Sequence, residues 1–287
     1  MHGTGNDFVL VDASTLSADW ATLARLVCDR HFGVGADGVI LALPSAQADL
    51  RMRIFNPDGS EAEMCGNGIR CLAAFALARG LVPAHRERLA IETGAGVREV
   101  ELQRENGRLV AVSVAMGEPD LAPERVPVDT RRFRGERVID YPLEVGGRVI
   151  PITAVSMGNP HAVALLDEDI RCYPLEQVGP LVEYHSFFPN RVNFEVARVR
   201  DRQHIDLRVW ERGAGLTLAC GTGACATVVA ARLHDLVDEE VEVQLPGGPL
   251  TIRWEGKQVQ MRGPVAFVFE GTWHGTVPPA LYSTPSA

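Results

Sequence analysis

Two cysteines stand in matching surroundings, Cys65-Gly66-Asn67-Gly68 and Cys220-Gly221-Thr222-Gly223, and each precedes a run of helical composition, 69–79 closed by Gly80 and 224–233. This spacing predicts that both thiols sit at helix N-termini. There the backbone N–H groups and the positive end of the helix dipole favour thiolate over thiol and attract a carboxylate. A thiolate on one face of a carbon acid and a thiol on the other invert its stereocentre, and the reverse reaction exchanges their roles. The free-cysteine pKa of ~8.5 needs lowering by only about one or two units for this chemistry. The harder task is to acidify an amino-acid α-proton. Backbone N–H groups of Gly66, Asn67, Gly221 and Thr222 around the substrate carboxylate would do so by stabilising the developing charge.

The elements that must position these thiols form a repeat. Gly5-Asn6-Asp7-Phe8 and Gly158-Asn159-Pro160-His161 each open a hydrophobic run, and Asn6 lies 59 positions before Cys65 as Asn159 lies 61 before Cys220. Nine residues before each cysteine, at the end of an alternating apolar run, stand Asn56 and Glu211. The pattern predicts an α+β fold of two pseudo-symmetric domains from an internal duplication, each a mostly antiparallel β-sheet wrapped around a central α-helix. A pseudo-twofold axis would bring the cysteine stretches face to face. The expected N-terminal half covers 1–115, with 263–273 returning to it, and the C-terminal half covers 116–262. A poorly ordered tail is expected over 274–287.

Within the halves, strands are expected at 9–11, 51–56, 89–93 and 97–116, the last turning at Asn106-Gly107. Further strands are expected at 149–155, 162–166, 192–199, 205–211, 241–245, 250–254, 258–262 and 264–269. Ser17 is the expected cap of a helix over 19–30, and 174–184 reads as a second short helix. Gly33-Val34-Gly35-Ala36-Asp37-Gly38 matches the dinucleotide fingerprint in form only. It follows a helix and leads into a strand, the reverse of the required context. The abrupt opening at Met1-His2-Gly3 predicts that a few residues precede the first strand.

Polar residues around the motifs extend the candidate site. Arg212 can pair bidentately with a carboxylate, Glu211 can bind an ammonium, and Asn6, Asn56, Asn159 and Asn193 supply amide donors and acceptors. His161 can modulate a cysteine. Each is ordinary in a turn when taken alone, and their repeat-equivalent placement is the argument for function.

Composition narrows the ligand class. The chain has 287 residues, 46% hydrophobic and 23% charged, with a net charge of −9, which disfavours nucleic acid or an anionic membrane as partner and favours a small molecule. It contains no run of eighteen apolar residues and no signal-peptide pattern, so the expected location is cytoplasmic. The six cysteines show no C-x-x-C spacing, and neither a metal site nor a disulfide framework is indicated. Cys71 and Cys225 are expected as buried packing residues. The single lysine, Lys257, falls in a turn, which argues against pyridoxal phosphate; no cofactor is expected. A homodimer is the expected assembly, although no residue pattern dictates it.

Four stretches in order carry a resemblance: 1–11 (Met-His-Gly-Thr-Gly-Asn-Asp-Phe-Val-Leu-Val), 55–71 with Met64-Cys65-Gly66-Asn67-Gly68, Met157-Gly158-Asn159-Pro160-His161, and 210–226 with Ala219-Cys220-Gly221-Thr222-Gly223. Together they resemble the diaminopimelate epimerases along nearly the whole chain. The resemblance implies cofactor-independent interconversion of LL- and meso-diaminopimelate, on the route to lysine and peptidoglycan precursors, with Cys65 and Cys220 as acid and base. It implies that Gly66-Asn67 and Gly221-Thr222 hold the reacting centre's carboxylate, and that Asn56, Asn159, Asn193 and Arg212 recognise the distant centre. Asn6 and Glu211 then lie near the reacting amino group, and His161 and Glu211 adjust the cysteines. Leu216 departs from the family pattern, where many relatives carry glutamate.

Related two-cysteine racemases act on proline, hydroxyproline or histidine and have no second amino-acid centre to grip; Arg212 with three asparagines favours the longer substrate. A non-enzymatic binding protein would not need two activated thiols. A Cys65–Cys220 disulfide would be an oxidised, inactive form.

Overall fold

A computed structural model describes residues 1–275; the tail expected over 274–287 lies, apart from its first two residues, outside the described residues. The chain divides into two compact units, one of Met1–Val112 with the segment from Pro264 onward, the other of Ser113–Gly263. Each is a mostly antiparallel sheet with one apolar helix packed on it, and the class is α+β.

The first unit contains β1 (His2–Gly3), β2 (Asn6–Asp12), α1 (Trp20–Val27), β3 (Gly38–Leu43), β4 (Leu50–Phe55), β5 (Glu61–Ala62), α2 (Gly66–Ala78), β6 (Arg88–Thr93) and β7 (Gly96–Glu105). β8 (Arg108–Gly117) carries the chain into the second unit. There follow β9 (Tyr141–Val145), β10 (Arg148–Ser156), β11 (Pro160–Leu165), α3 (Leu175–Glu183), β12 (Asn193–Asp201), β13 (His204–Glu211), β14 (Gly215–Thr217), α4 (Gly221–Leu233), β15 (Glu240–Leu245), β16 (Gly248–Trp254) and β17 (Val259–Gly263).

The two units repeat one topology. In the first, β2 pairs parallel with β3, β3 antiparallel with β4, β4 antiparallel with β5 and parallel with β6, and β6 antiparallel with β7. In the second, β11, β12, β13, β14, β15 and β16 repeat those pairings in the same senses. The register matches as well, since Phe8 lies opposite Gly38 where His161 lies opposite Asn193.

α2 and α4 explain why these sheets curve around a helix. Each has thirteen residues, ten of them buried, and the buried set is mainly Gly, Ala, Cys and Val. Helices enclosed on most faces need small side chains so that strands can approach on several sides, and α2 also encloses Asn67 and Arg70. α2 packs on β1, β2, β3, β4 and β7, and α4 on β10, β11, β12, β16 and β17. Gly80, two residues past α2, takes φ +68°, the left-handed ending a glycine tolerates.

Several local expectations are corrected. Asp19, not Ser17, caps α1, its carboxylate accepting from the Thr22 amide at 3.1 Å. α1 stops at Val27, whose carbonyl accepts from the Val34 and Gly35 amides in place of the His31 amide that a continuing helix would supply; the chain folds so closely there that a Cβ on Gly33 would fall 2.2 Å from the Leu26 carbonyl oxygen. The glycine-rich stretch is thus the reversal between α1 and β3. β9, unforeseen, forms a hairpin with β10 across Gly146-Gly147. Residues 264–269 make no strand, only a two-way bridge in which Ala266 exchanges backbone hydrogen bonds with His2.

Candidate active site

In the first unit Cys65 is the N-cap of α2. Its extended backbone (φ −137°, ψ 120°) turns Sγ onto the Gly68 amide, which donates to it at 3.4 Å. The thiol in turn donates to Asn6 Oδ1 at 3.7 Å, and Asn67 Nδ2 donates to the same oxygen at 3.3 Å. Asn6 is aimed from behind: its Nδ2 donates to Asp37 Oδ2 at 2.7 Å, while Arg30 grips Asp37 and Asp7 at 2.7 Å each. The start of β2, the start of α2 and the turn before β3 therefore converge on one thiol, which is half-buried. Asn56, at the end of β4, is engaged by its own turn, donating from Nδ2 to Ser60 Oγ at 3.0 Å.

The second unit repeats the device. Cys220 caps α4 with φ −119°, ψ 111°, and its Sγ accepts from the Gly223 amide at 3.4 Å. Thr222 Oγ1 lies 3.5 Å from Sγ and accepts from Asn159 Nδ2 at 3.3 Å. Asn159 Oδ1 meets His161 Nε2 at 3.0 Å, and His161 Nδ1 meets Glu195 Oε1 at 2.7 Å. Asn193 links strand to loop: Nδ2 donates to the Pro160 carbonyl at 2.8 Å and Oδ1 accepts from the Arg212 amide at 2.9 Å. The Arg212 guanidinium is exposed and donates to the Asn190 carbonyl at 3.2 Å. Glu211 accepts from Thr217 Oγ1 and faces Cys220.

The electrostatics of Cys220 reverse one expectation. A helix N-terminus lowers a thiol pKa, and the Gly223 amide does act in that direction. Burial outweighs it, with the carboxyls of Glu211 and Glu195 adding to the effect, so the pKa rises well above the ordinary cysteine value. Cys220, 5% exposed, is a thiol at neutral pH. Burial likewise raises Glu195, against the opposing pull of His161, and raises Glu211, against the Thr217 hydrogen bond. Cys71 and Cys225 are buried, and burial pushes Cys71 to about 12. Among the described residues no cysteine forms a disulfide.

The structure thus groups Cys65, Asn6 and Asn67 in one unit, and Cys220, Thr222, Asn159, His161 and Glu211 in the other, with Asn193 tied to Arg212. Asp37 and Glu195 escape the sequence reading. Asp37 hides in the glycine-rich stretch; Glu195, the lone carboxylate among the five buried residues that open β12, is the one available signal. Among the described residues no His, Cys, Asp and Glu are grouped to hold a metal ion, and no helix is long and apolar enough to cross a membrane.

The family model for diaminopimelate epimerase matches residues 1–122 and 153–268. The diaminopimelate epimerase of Pelotomaculum thermopropionicum is 52% identical over 276 residues, covering 95% of this chain and 96% of the relative. That of Moorella thermoacetica is 51% identical over 275 residues, covering 94% and 96%. Among solved structures, a PhzF-family phenazine biosynthesis protein from Bacillus anthracis superposes with TM-score 0.67 at 21% identity, covering 92% of both chains. A hydroxyproline epimerase from Agrobacterium vitis with bound trans-4-hydroxy-L-proline gives 0.67 at 15% identity, covering 92% of this chain and 87% of that one. At such identities these two speak for the fold alone. The two capped thiols, the repeated topology and a match along nearly the whole length agree, and the chain belongs to the diaminopimelate epimerase family.

Proposed function

We propose that the chain is an isomerase interconverting LL- and meso-2,6-diaminopimelate, using Cys65 and Cys220 as the two acid–base groups and no cofactor. The observation that carries this is the duplicated cap: each Sγ accepts the third amide of its own helix at 3.4 Å, so each thiol stands beside a first turn whose dipole favours negative charge. A thiolate removes the α-proton and the electron pair stays on the carbon, spread into the carboxylate; the opposing thiol then delivers its proton to the other face. One cysteine ends protonated and the other as thiolate, so proton exchange with water resets the pair.

Gly66-Asn67 and Gly221-Thr222 cradle the reacting carboxylate in this reading. Asn6 and Glu211 attend the amino group, while Asn56, Asn159, Asn193 and Arg212 recognise the distant centre. Support for Arg212 is its exposed guanidinium on a loop pinned by Asn193; support for His161 as a modulator is its place two hydrogen bonds from Thr222. Thiols that must stay reduced fit the cytoplasm. A homodimer completes the proposal and is checked by light scattering.

The test is incubation of reduced enzyme with LL-diaminopimelate in D₂O, following deuterium at the α-carbon and formation of the meso isomer. Inversion with solvent deuterium, lost in Cys65→Ser and in Cys220→Ser, is the expected result. Absence of exchange in reduced wild type, with exchange of proline or histidine instead, overturns the substrate assignment.

A further inference from the structure

We propose that Glu195 is a positioning residue for the epimerisation: its protonated carboxyl donates to His161 Nδ1, fixes the ring as the Nε2–H tautomer, and so holds Asn159 on Thr222 beside Cys220. The inference rests on the two-cysteine reading above and concerns only groups of the second unit.

The fold itself does not ask for this pair. By strand register His161 corresponds to Phe8 and, two residues beyond the paired Asn193 and Gly38, Glu195 corresponds to Ile40. The same slot is involved. A Cβ on Gly68 would lie 2.8 Å from Ile40 Cδ1, and a Cβ on Gly223 would lie 2.8 Å from Glu195 Oε1. One unit fills the space behind its cysteine helix with two apolar side chains, whereas the other buries an imidazole and a carboxyl there, both 0% exposed. Buried polar groups cost free energy relative to apolar ones of similar size, so their presence where the sister unit manages without them calls for a role.

Hydrogen-bond capacity assigns the protons. Asn159 turns its Nδ2 toward Thr222, which leaves Oδ1 facing His161 Nε2. An amide oxygen only accepts, so Nε2 carries hydrogen. The 2.7 Å contact between Nδ1 and Glu195 Oε1 then needs one more proton, on the ring or on the carboxyl. Glu195 Oε2 is buried without a hydrogen-bond partner, a poor situation for an ionised oxygen and a tolerable one for the carbonyl of a neutral acid. Burial raises Glu195 accordingly. The neutral acid donates, Nδ1 accepts, and the chain Glu195–His161–Asn159–Thr222–Cys220 has one direction.

The decisive comparison is Glu195→Gln, whose amide N–H can donate to Nδ1 in the same place, against Glu195→Ile, which installs the sister unit's residue. Glu195→Ile is expected to lower kcat by roughly 10- to 100-fold with little change in KM, and Glu195→Gln to recover most of that loss. Wild-type and Glu195→Gln activities that both match Glu195→Ile overturn the proposal, as does a Gln variant no better than Ile, which would mean that an ionised carboxylate is needed. A readout independent of turnover is ¹⁵N-histidine NMR, with the His161 ring assigned by its absence in His161→Asn. A ring protonated at Nε2 alone in wild type and in Glu195→Gln supports the assignment; a doubly protonated ring in wild type overturns it even if Glu195→Ile does not fold. Failure of the wild type to exchange deuterium into diaminopimelate would count against the substrate reading, while the ring's tautomer would still decide this one.

Discussion

A methyl group added at the third residue of each cysteine helix should act very differently in the two units. Gly68 and Gly223 are equivalent: each amide donates to its capping thiol, and a helical Gly→Ala change by itself stabilises by up to about 1 kcal/mol. In Gly68→Ala the new Cβ meets Ile40 Cδ1 at 2.8 Å and Met52 Cε at 3.2 Å, both ends of flexible aliphatic chains that can turn aside. The helix gain and a modest repacking cost roughly cancel, and we expect a stability change within about 1 kcal/mol. In Gly223→Ala the Cβ meets Glu195 Oε1 at 2.8 Å and Cys220 Sγ at 3.3 Å. Glu195 cannot retreat, since His161 holds the same oxygen at 2.7 Å and the side chain is wholly enclosed. Overpacking of about 1–3 kcal/mol then exceeds the helix gain, a loss of roughly 0–2 kcal/mol, or a Tm lower by about 2–4 °C for each kcal/mol. Activity should suffer more than stability. A shift of Sγ by about half an ångström at a reacting group costs on the order of tenfold in kcat. Thermal melts and deuterium wash-in on both variants test this. A Gly223→Ala enzyme as active and stable as wild type, or a Gly68→Ala enzyme damaged more than it, refutes the account of the slot.

Asp37→Ala should lower kcat/KM by roughly tenfold through the loss of the anchor on Asn6, yet cost only about 0.2–1 kcal/mol in a denaturant melt, because the one Arg30 pair it breaks is largely exposed. Cys28 is raised to about 11 by burial first and by Asp37 and Asp7 next, from an ordinary 9.0. A folded pKa above the unfolded one means that its contribution is intact below pH 9 and is lost as pH climbs toward 11; Cys28→Ala should therefore show a smaller drop in Tm between pH 8 and pH 10.5 than wild type. Iodoacetamide at pH 8, read by peptide mass spectrometry, should label exposed Cys172 first and spare buried Cys28, Cys71 and Cys225; rapid labelling of Cys71 would contradict its enclosure in α2.

The two cysteine helices are legible in the sequence because capping chemistry is local: cysteine, small residues, then a run of Ala, Val and Leu closed by a glycine or a turn. The duplicated strand order is legible for a similar reason, since spacing between motifs survives where residue identities change. What local patterns do not carry is the outcome of competition. Ser17 and Asp19 both suit an N-cap, and the choice falls to Asp19 because its carboxylate reaches both the amide and the hydroxyl of Thr22. β9 begins Tyr141-Pro142 after a charged, proline-rich crossover, and only its pairing with β10 makes it a strand. The lowered thiol expected at Cys220 fails because burial, a property of the assembled unit, outweighs the helix end. Glu195 is legible only as a carboxylate in the buried opening of β12; its partner lies 34 residues away, and no periodicity joins the two.

Equivalent positions around the two thiols differ in polarity. Where the second has Asn193, His161, Glu195, Glu211 and Arg212, register and spacing put Gly38, Phe8, Ile40, Asn56 and Pro57 in the first. Both thiols are nevertheless capped alike, to the same 3.4 Å. A reversible inversion requires equivalence of the two groups that exchange a proton and nothing more. Diaminopimelate, in the proposed reading, brings two amino-acid centres of which one reacts, so recognition of the idle centre has no reason to be shared between the units. Duplication preserved the part of the device that the chemistry uses twice, the capped thiol, and divergence placed a different polar network behind each, Asn6 with Asp37 and Arg30 in the first unit and Asn159 with His161 and Glu195 in the second. It follows that replacing Arg212 by its counterpart Pro57, or Asn193 by Gly38, should raise KM before it lowers kcat, whereas replacing Glu195 by its counterpart Ile40 should lower kcat with little change in KM; Phe8 and Ile40 should tolerate apolar residues of similar volume.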